Sequence, residues 1–67
     1  MAKTFKQIEL VGISSDSYED AIQHAVVKAA KTLRNLAWYE VLEQRGKIDN
    51  GKVSEYQVVL KVSFKLD

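Results

Sequence analysis

The chain has 67 residues, room for one domain, and it contains no cysteine and one histidine, which excludes disulfides and ordinary zinc sites. Ten basic and nine acidic residues are interspersed, for a net charge of +1, which argues against a partner bound through nucleic-acid phosphates. A domain this small is marginally stable alone, so we expect oligomerisation. Without a bilayer-spanning apolar run or a signal segment, the sequence predicts a soluble, cytoplasmic protein with no membrane partner.

The first half of the chain predicts a strand followed by a helix. Apolar and polar residues alternate from Phe5 to Val11, which is typical of a half-buried strand, and Gly12 and a serine cluster end it. From Ser17 to about Asn35 the apolar residues recur at helical spacing, and Ser17 with Asp20 resembles a capping box.

The second half predicts a β-hairpin. The strands are expected over residues 37–45 and 53–66, joined by a turn at Asp49-Asn50-Gly51. Pairing residues whose numbers sum to about 99 would place Trp38 opposite Lys61 and leave Gln57 roughly 13 Å further along the strand.

The predicted lengths of helix and strand do not match. Fourteen strand residues extend roughly 46 Å, whereas nineteen helical residues extend about 28 Å. One helix therefore leaves part of the long apolar row from Tyr56 to Leu66 uncovered, and such a patch usually marks an interface.

The sequence offers no catalytic constellation. His24 lies on the polar side of the predicted helix, and no serine has an obvious histidine partner. By alternation Glu40 and Glu43 fall on opposite faces of a strand, which makes them a poor acid/base pair. We therefore predict that the protein is not an enzyme and holds no metal.

Trp38 is the residue that calls for a functional explanation. Alternation places it with Leu42 and Gln44 on the sheet face opposite Tyr39 and Val41, which face the helix. There it serves either a subunit interface or a platform for a planar aromatic ligand. Gln57 shares this face, as a solvated side chain or as a partner for the polar edge of a ring such as a flavin. Because the two residues are well separated, a site assembled across a two-fold axis fits better than one within a single subunit.

The whole chain, residues 1–67, resembles the dodecin family as a single domain. The resemblance is carried by Val11-Gly12-Ile13-Ser14-Ser15, Glu19-Asp20-Ala21-Ile22, Leu36-Ala37-Trp38-Tyr39-Glu40-Val41, Arg45-Gly46-Lys47-Ile48 and the segment from Glu55 to Phe64. It implies an α+β fold of βαββ order, with a three-stranded antiparallel sheet partly wrapping one helix. It also implies twelve such subunits in a hollow shell.

The resemblance further implies storage and sequestration of flavin, either FMN or riboflavin. In dodecins, flavin pairs are sandwiched between symmetry-related tryptophans at two-fold axes and are quenched there. Trp38 matches the stacking residue, Gln57 matches the glutamine that hydrogen-bonds the ring, and Arg45 matches a basic position near the flavin.

Two further readings stay open. Some dodecins also bind coenzyme A through basic residues, a role that Lys3, Lys28, Arg34 and Lys65 could fill here, although Lys65 lacks the bidentate fork of arginine. Alternatively, the chain is a structural oligomeric interaction module without flavin, in which Trp38 seals a subunit contact. An RNA-binding domain is disfavoured by the balanced charge.

Overall fold

A computed structural model describes residues 2–67, which form a three-stranded antiparallel sheet and one helix. The elements are β1 (Phe5–Ser14), α1 (Tyr18–Ala30), β2 (Leu36–Asp49) and β3 (Lys52–Lys65), in that order along the chain. The order of strands in the sheet is β1-β3-β2, with β3 in the centre. The α+β fold of βαββ order, with a sheet that partly wraps the helix, is thus confirmed.

The hairpin between β2 and β3 turns where the sequence predicts. Asn50 and Gly51 both have positive φ, 52° and 75°, which is the geometry of a two-residue hairpin loop. Asp49 pairs with Lys52 directly before and after this turn. The Asn-Gly dipeptide therefore fixes where the two longest strands start to pair.

The core lies between the helix and the central strand. Val58, Leu60 and Val62 of β3 are buried on the helix side together with Ala21 of α1. The helix approaches β1 closely at Gly12, where a β-carbon would lie 2.5 Å from the carbonyl oxygen of Ala21. Small residues at this crossing therefore allow the backbones of helix and strand to come together.

The helix begins as predicted and ends earlier. The Ser17 hydroxyl accepts a hydrogen bond from the Asp20 backbone N–H at 2.9 Å, as an N-cap residue does. The last helical residue is Ala30, so the prediction of a helix to about residue 35 is wrong. Leu33 still packs against the core, and the chain then turns at Asn35, which has a φ of 64°.

A helix of 13 residues extends only about 20 Å, so most of the hairpin has no helix over it. The described chain measures 54 × 20 × 13 Å, and almost all of β2 is exposed. Large apolar side chains with more than a third of their surface exposed are Val11, Ile13, Val27, Trp38, Tyr39, Val41, Leu42, Ile48, Val53 and Leu66. This apolar surface is what other subunits would cover. Within residues 2–67, the structure has no helix long and apolar enough to cross a membrane.

Two inserted residues in β2 set the direction of its side chains. Leu36 pairs with Phe64 while Trp38 pairs with Ser63, so Ala37 is an extra residue. Leu42 is a second extra residue, since Val41 pairs with Leu60 and Glu43 with Val59. Each such bulge reverses the alternation of the strand beyond it.

The observed strand pairing corrects three sequence-based predictions. Paired residues sum to 101 at Trp38–Ser63 and to 102 at Arg45–Gln57, not to 99. Gln44 pairs with Val58, so it lies on the helix side of the sheet and not with Trp38. Glu43 lies on the same face as Glu40, because the bulge comes between them.

Candidate ligand-binding site

Trp38 lies on the sheet face that the helix leaves uncovered, as predicted; we call this the bare face. Its partner Ser63 is in the row of β3 opposite the buried valines and leucine, so the indole projects away from α1. The ring of Phe5 in β1 lies against it, with centroids 4.8 Å apart and planes inclined at 50°. Trp38 remains 49% exposed, so roughly half of the side chain is available to a ligand or to another subunit.

Phe5 and Trp38 together cover the middle of the sheet at this end. They lie on the two strands that flank β3, where Trp38 pairs with Ser63 and Phe5 pairs with Lys65 two residues further along. Ser63 is 1% exposed. The Ser63 hydroxyl accepts a hydrogen bond from the Gln7 side-chain amide at 3.0 Å. The buried hydroxyl therefore has a hydrogen-bond partner. A tilted aromatic pair of this kind contributes about 0.5–1.5 kcal/mol beyond its buried area and steadies the indole.

Gln57 lies on the same face as Trp38 but at a distance. Trp38 is opposite Ser63, and Gln57 is six residues back along β3, which is roughly 20 Å. The separation is larger than the predicted register implied. A single three-ring heterocycle cannot stack on the indole and reach the amide of the same chain. The structure does not bring these two predicted site residues together within one chain.

Gln57 and Arg45, in contrast, are in direct contact. They are paired residues of β3 and β2, and the Arg45 Nε donates a hydrogen bond of 2.8 Å to the Gln57 Oε1. The Arg45 Nη1 donates to the Glu43 carboxylate at 2.7 Å, and the Gln57 Nε2 donates to the Glu55 carboxylate at 3.3 Å. We refer to Glu43, Arg45, Gln57 and Glu55 as the polar chain. It offers both charges and an amide on the bare face.

The four basic residues considered for coenzyme A lie in different parts of the fold. Arg34 and Lys65 line one groove of about 250 Å³, but Arg34 is paired with the Asp67 carboxylate at 2.7 Å. Lys28 lies on α1 beside a separate groove next to Val11. Lys3 precedes β1 and is exposed. One chain does not gather these charges into one site, and the coenzyme A reading stays a prediction.

The polar contacts around Asp20 at the start of α1 do not form a catalytic arrangement. The Ser14 hydroxyl donates to the Asp20 carboxylate at 2.6 Å, and the His24 Nδ1 lies 3.4 Å from that same carboxylate. The carboxylate therefore stands between the hydroxyl and the imidazole, which is the reverse of a nucleophile activated by histidine. Within residues 2–67, no group of three or more His, Cys, Asp or Glu side chains is placed to hold a metal ion.

Three residues of this surface, Phe5, Glu43 and Glu55, were not among the predicted site residues. Phe5 contacts Trp38 across β3, a proximity that requires the register of three strands. Glu55 is two residues before Gln57 in a strand, so period-two alternation alone was enough to place it on the same face. Glu43 was placed on the wrong face because the bulge at Leu42 has no sequence signature.

A small βαββ chain with a bare, partly apolar sheet face is typical of a subunit of a larger assembly. Residues 4–67 match the Dodecin family. The chain belongs to the dodecin family, whose members are oligomeric binding and storage proteins and not enzymes. Flavin binding is known for dodecins generally.

Individual dodecins are similar to this chain over nearly its whole length. The dodecin of Thermus thermophilus is 54% identical over 67 residues, which is 100% of this chain and 97% of the relative. The crystal structure of a variant of that dodecin, with a tryptophan replaced by phenylalanine, superposes with a TM-score of 0.93 at 52% identity, covering 98% of both chains. The calcium dodecin of Mycobacterium tuberculosis is 32% identical over 62 residues, covering 92% of this chain and 87% of that one.

Proposed function

We propose that this protein binds and stores a flavin, FMN or riboflavin, in a homododecameric shell, with flavin pairs stacked between symmetry-related Trp38 side chains. The observation that carries the proposal is the half-exposed indole on the bare face, held by Phe5 and left with a free surface. An indole face suits a planar aromatic ring because offset stacking adds about 0.5–1.5 kcal/mol to the burial of area. Membership in a family that binds flavins supports the choice of ligand.

The separation of Trp38 and Gln57 supports a site shared between chains. Since roughly 20 Å of strand lies between them, the glutamine that meets the edge of a ring must come from a chain other than the one whose indole stacks on it. An isologous contact provides this arrangement twice, and each contact then holds two ligands. The proposal thus predicts one flavin per chain.

Arg45 is proposed to meet the phosphate of FMN. Its guanidinium uses Nε and Nη1 for Gln57 and Glu43, which leaves three of its five N–H donors free for an anion. The neighbouring Glu43 carboxylate opposes a phosphate at this place, so the net attraction is modest. Riboflavin, which lacks the phosphate, remains an equally suitable ligand for the stacking part of the site.

Spectroscopy of the purified protein tests the proposal. Riboflavin fluorescence should fall on addition of protein, because an excited flavin in contact with an indole accepts an electron from it and decays without emission. The titration should saturate at one flavin per chain, and light scattering on a sizing column should give a mass of about twelve subunits. If the assembly forms but neither riboflavin nor FMN is quenched at micromolar protein, the chain is a structural interaction module and the flavin proposal is wrong.

A further inference from the structure

The side-chain amide of Gln57 is held from both ends by groups of opposite hydrogen-bonding character. Arg45 Nε donates to its oxygen at 2.8 Å, and its nitrogen donates to Glu55 at 3.3 Å. A guanidinium has donors only, and an ionised carboxylate has acceptors only. The amide therefore lies between two groups, each of which permits only one orientation of the amide.

The opposite orientation of the amide would make two unfavourable contacts at once. A flip about the terminal bond would set the amide N–H groups against the guanidinium and the amide oxygen against the carboxylate of Glu55. Each contact would exchange a charge-assisted hydrogen bond for a repulsion between like partial charges. Glu43, which holds the other side of the guanidinium at 2.7 Å, keeps the donor in place. The polar chain thus fixes which end of the amide is oxygen and which is nitrogen.

The fixed amide retains one free bond at each end. Its oxygen has a second lone pair beyond the one used by Arg45, and its nitrogen has a second hydrogen beyond the one given to Glu55. A ligand that satisfies both must present a donor toward the Arg45 side and an acceptor toward the Glu55 side. A ring N–H directly beside a ring carbonyl has this pattern, and the pyrimidine part of a flavin carries it.

We propose that Glu55 is a positioning residue that, opposite Arg45, locks the Gln57 amide and makes the site selective for heterocycles with an unsubstituted N–H beside a carbonyl. The inference rests on the proposed function, because it concerns the ring edge of the same flavin site. Selection follows from the lock. A freely rotating amide can turn its NH₂ end or its oxygen end toward a ring that lacks an N–H beside a carbonyl. An amide held at both ends cannot turn, so its free hydrogen and free lone pair stay unpaired against such a ring.

The test compares two ligands on three proteins. The ligands are lumiflavin and 3-methyllumiflavin, which differ by a methyl group on the ring nitrogen that carries the N–H. The proteins are the wild type, Glu55→Gln and, as a matched control for the loss of one charge, Glu19→Gln on the exposed start of the helix. Dissociation constants come from fluorescence quenching, and light scattering checks the assembly of each protein.

The inference is tested by the ratio of the dissociation constants of 3-methyllumiflavin and lumiflavin, measured within each protein. We expect the wild type and Glu19→Gln to prefer lumiflavin by about tenfold, and Glu55→Gln, whose new amide tolerates either orientation of Gln57, to show a ratio at least threefold smaller. A general loss of affinity cancels in the ratio. An unchanged ratio in Glu55→Gln overturns the inference, as does equal loss of both ligands by an assembled variant, since Glu55 would then support the site without selecting. Failure of the wild type to bind lumiflavin overturns the proposed function instead.

Discussion

Replacement of Trp38 by alanine removes the surface on which the proposed ligand stacks. The indole is 49% exposed, and a tryptophan can bury up to about 250 Å², so roughly 100 Å² of it is available to a flavin. At about 25 cal/mol per Å², this contact is worth about 2.5 kcal/mol, and ring stacking adds about 1 kcal/mol. Alanine recovers a little of the area. We therefore expect a loss of about 3 kcal/mol, which is about a hundredfold in the dissociation constant.

Trp38→Phe is the matched control, because it keeps an aromatic face in the same place with less area. It should lose about 1 kcal/mol, or about fivefold. Both variants are titrated with riboflavin, and the quenching of flavin fluorescence gives the dissociation constant. Quenching per bound flavin should also fall in the phenylalanine variant, since phenylalanine is a poorer electron donor than indole.

The mass of each variant separates stacking from assembly. If Trp38→Ala keeps the mass of the wild type and binds riboflavin within threefold of it, the indole does not form the stacking surface and the reasoning fails. If the variant falls apart into smaller species, the indole seals a subunit contact, as the interaction-module reading holds. In that event the phenylalanine variant, which preserves more of the contact, supplies the binding data.

Three further outcomes are expected. Arg45→Ala should weaken FMN by up to about fivefold relative to riboflavin in paired titrations, because an exposed charge pair is worth about 0.2–1 kcal/mol, and an unchanged ratio would remove Arg45 from the phosphate site. Phe5→Leu should leave the mass unchanged and weaken riboflavin severalfold, because Trp38 loses an aromatic neighbour 4.8 Å away; equal affinity would show that the indole needs no support. Gly12→Ala should lower stability by about 1–3 kcal/mol in thermal unfolding, because its β-carbon would lie 2.5 Å from the Ala21 carbonyl oxygen, and an unchanged melting temperature would contradict the close crossing.

Local signals in the sequence were sufficient for the order of the elements. Period-two alternation in β1 and β3, period 3.6 in α1 and the Asn-Gly turn are each determined by a few neighbouring residues, and the structure has the predicted element at each place. The ends differ, since β1 continues through Gly12 to Ser14 and α1 ends at Ala30. The buried row of β3 follows from the same alternation. Family resemblance added the dodecin identity, which the comparisons confirm.

The end of the helix shows where periodicity misleads. Leu33 continues the apolar stripe of α1 and packs on the core as a helical residue would, yet it lies beyond the last helical residue, Ala30. Its N–H still bonds to the Ala29 carbonyl at 2.9 Å, so the chain leaves the helix through a turn that keeps the leucine inward. A leucine that keeps its apolar contact after the helix has ended has the same spacing in the sequence as one inside the helix. Spacing alone therefore cannot show where α1 ends.

The bulges in β2 show a second limit, and they bear directly on the site. Simple alternation puts Arg45 on the helix side, with Tyr39 and Val41, where it could not meet a ligand held by Trp38. The residue inserted at Leu42 shifts the strand by one, so that Arg45 lies opposite Gln57 on the bare face. Without that insertion Gln44 would occupy the place of Arg45, and the amide of Gln57 would face another amide, which can both donate and accept. Whether the proposed site has a fixed hydrogen-bonding direction at Gln57 therefore depends on one extra residue in the strand. This is a feature of backbone pairing that no single residue type indicates.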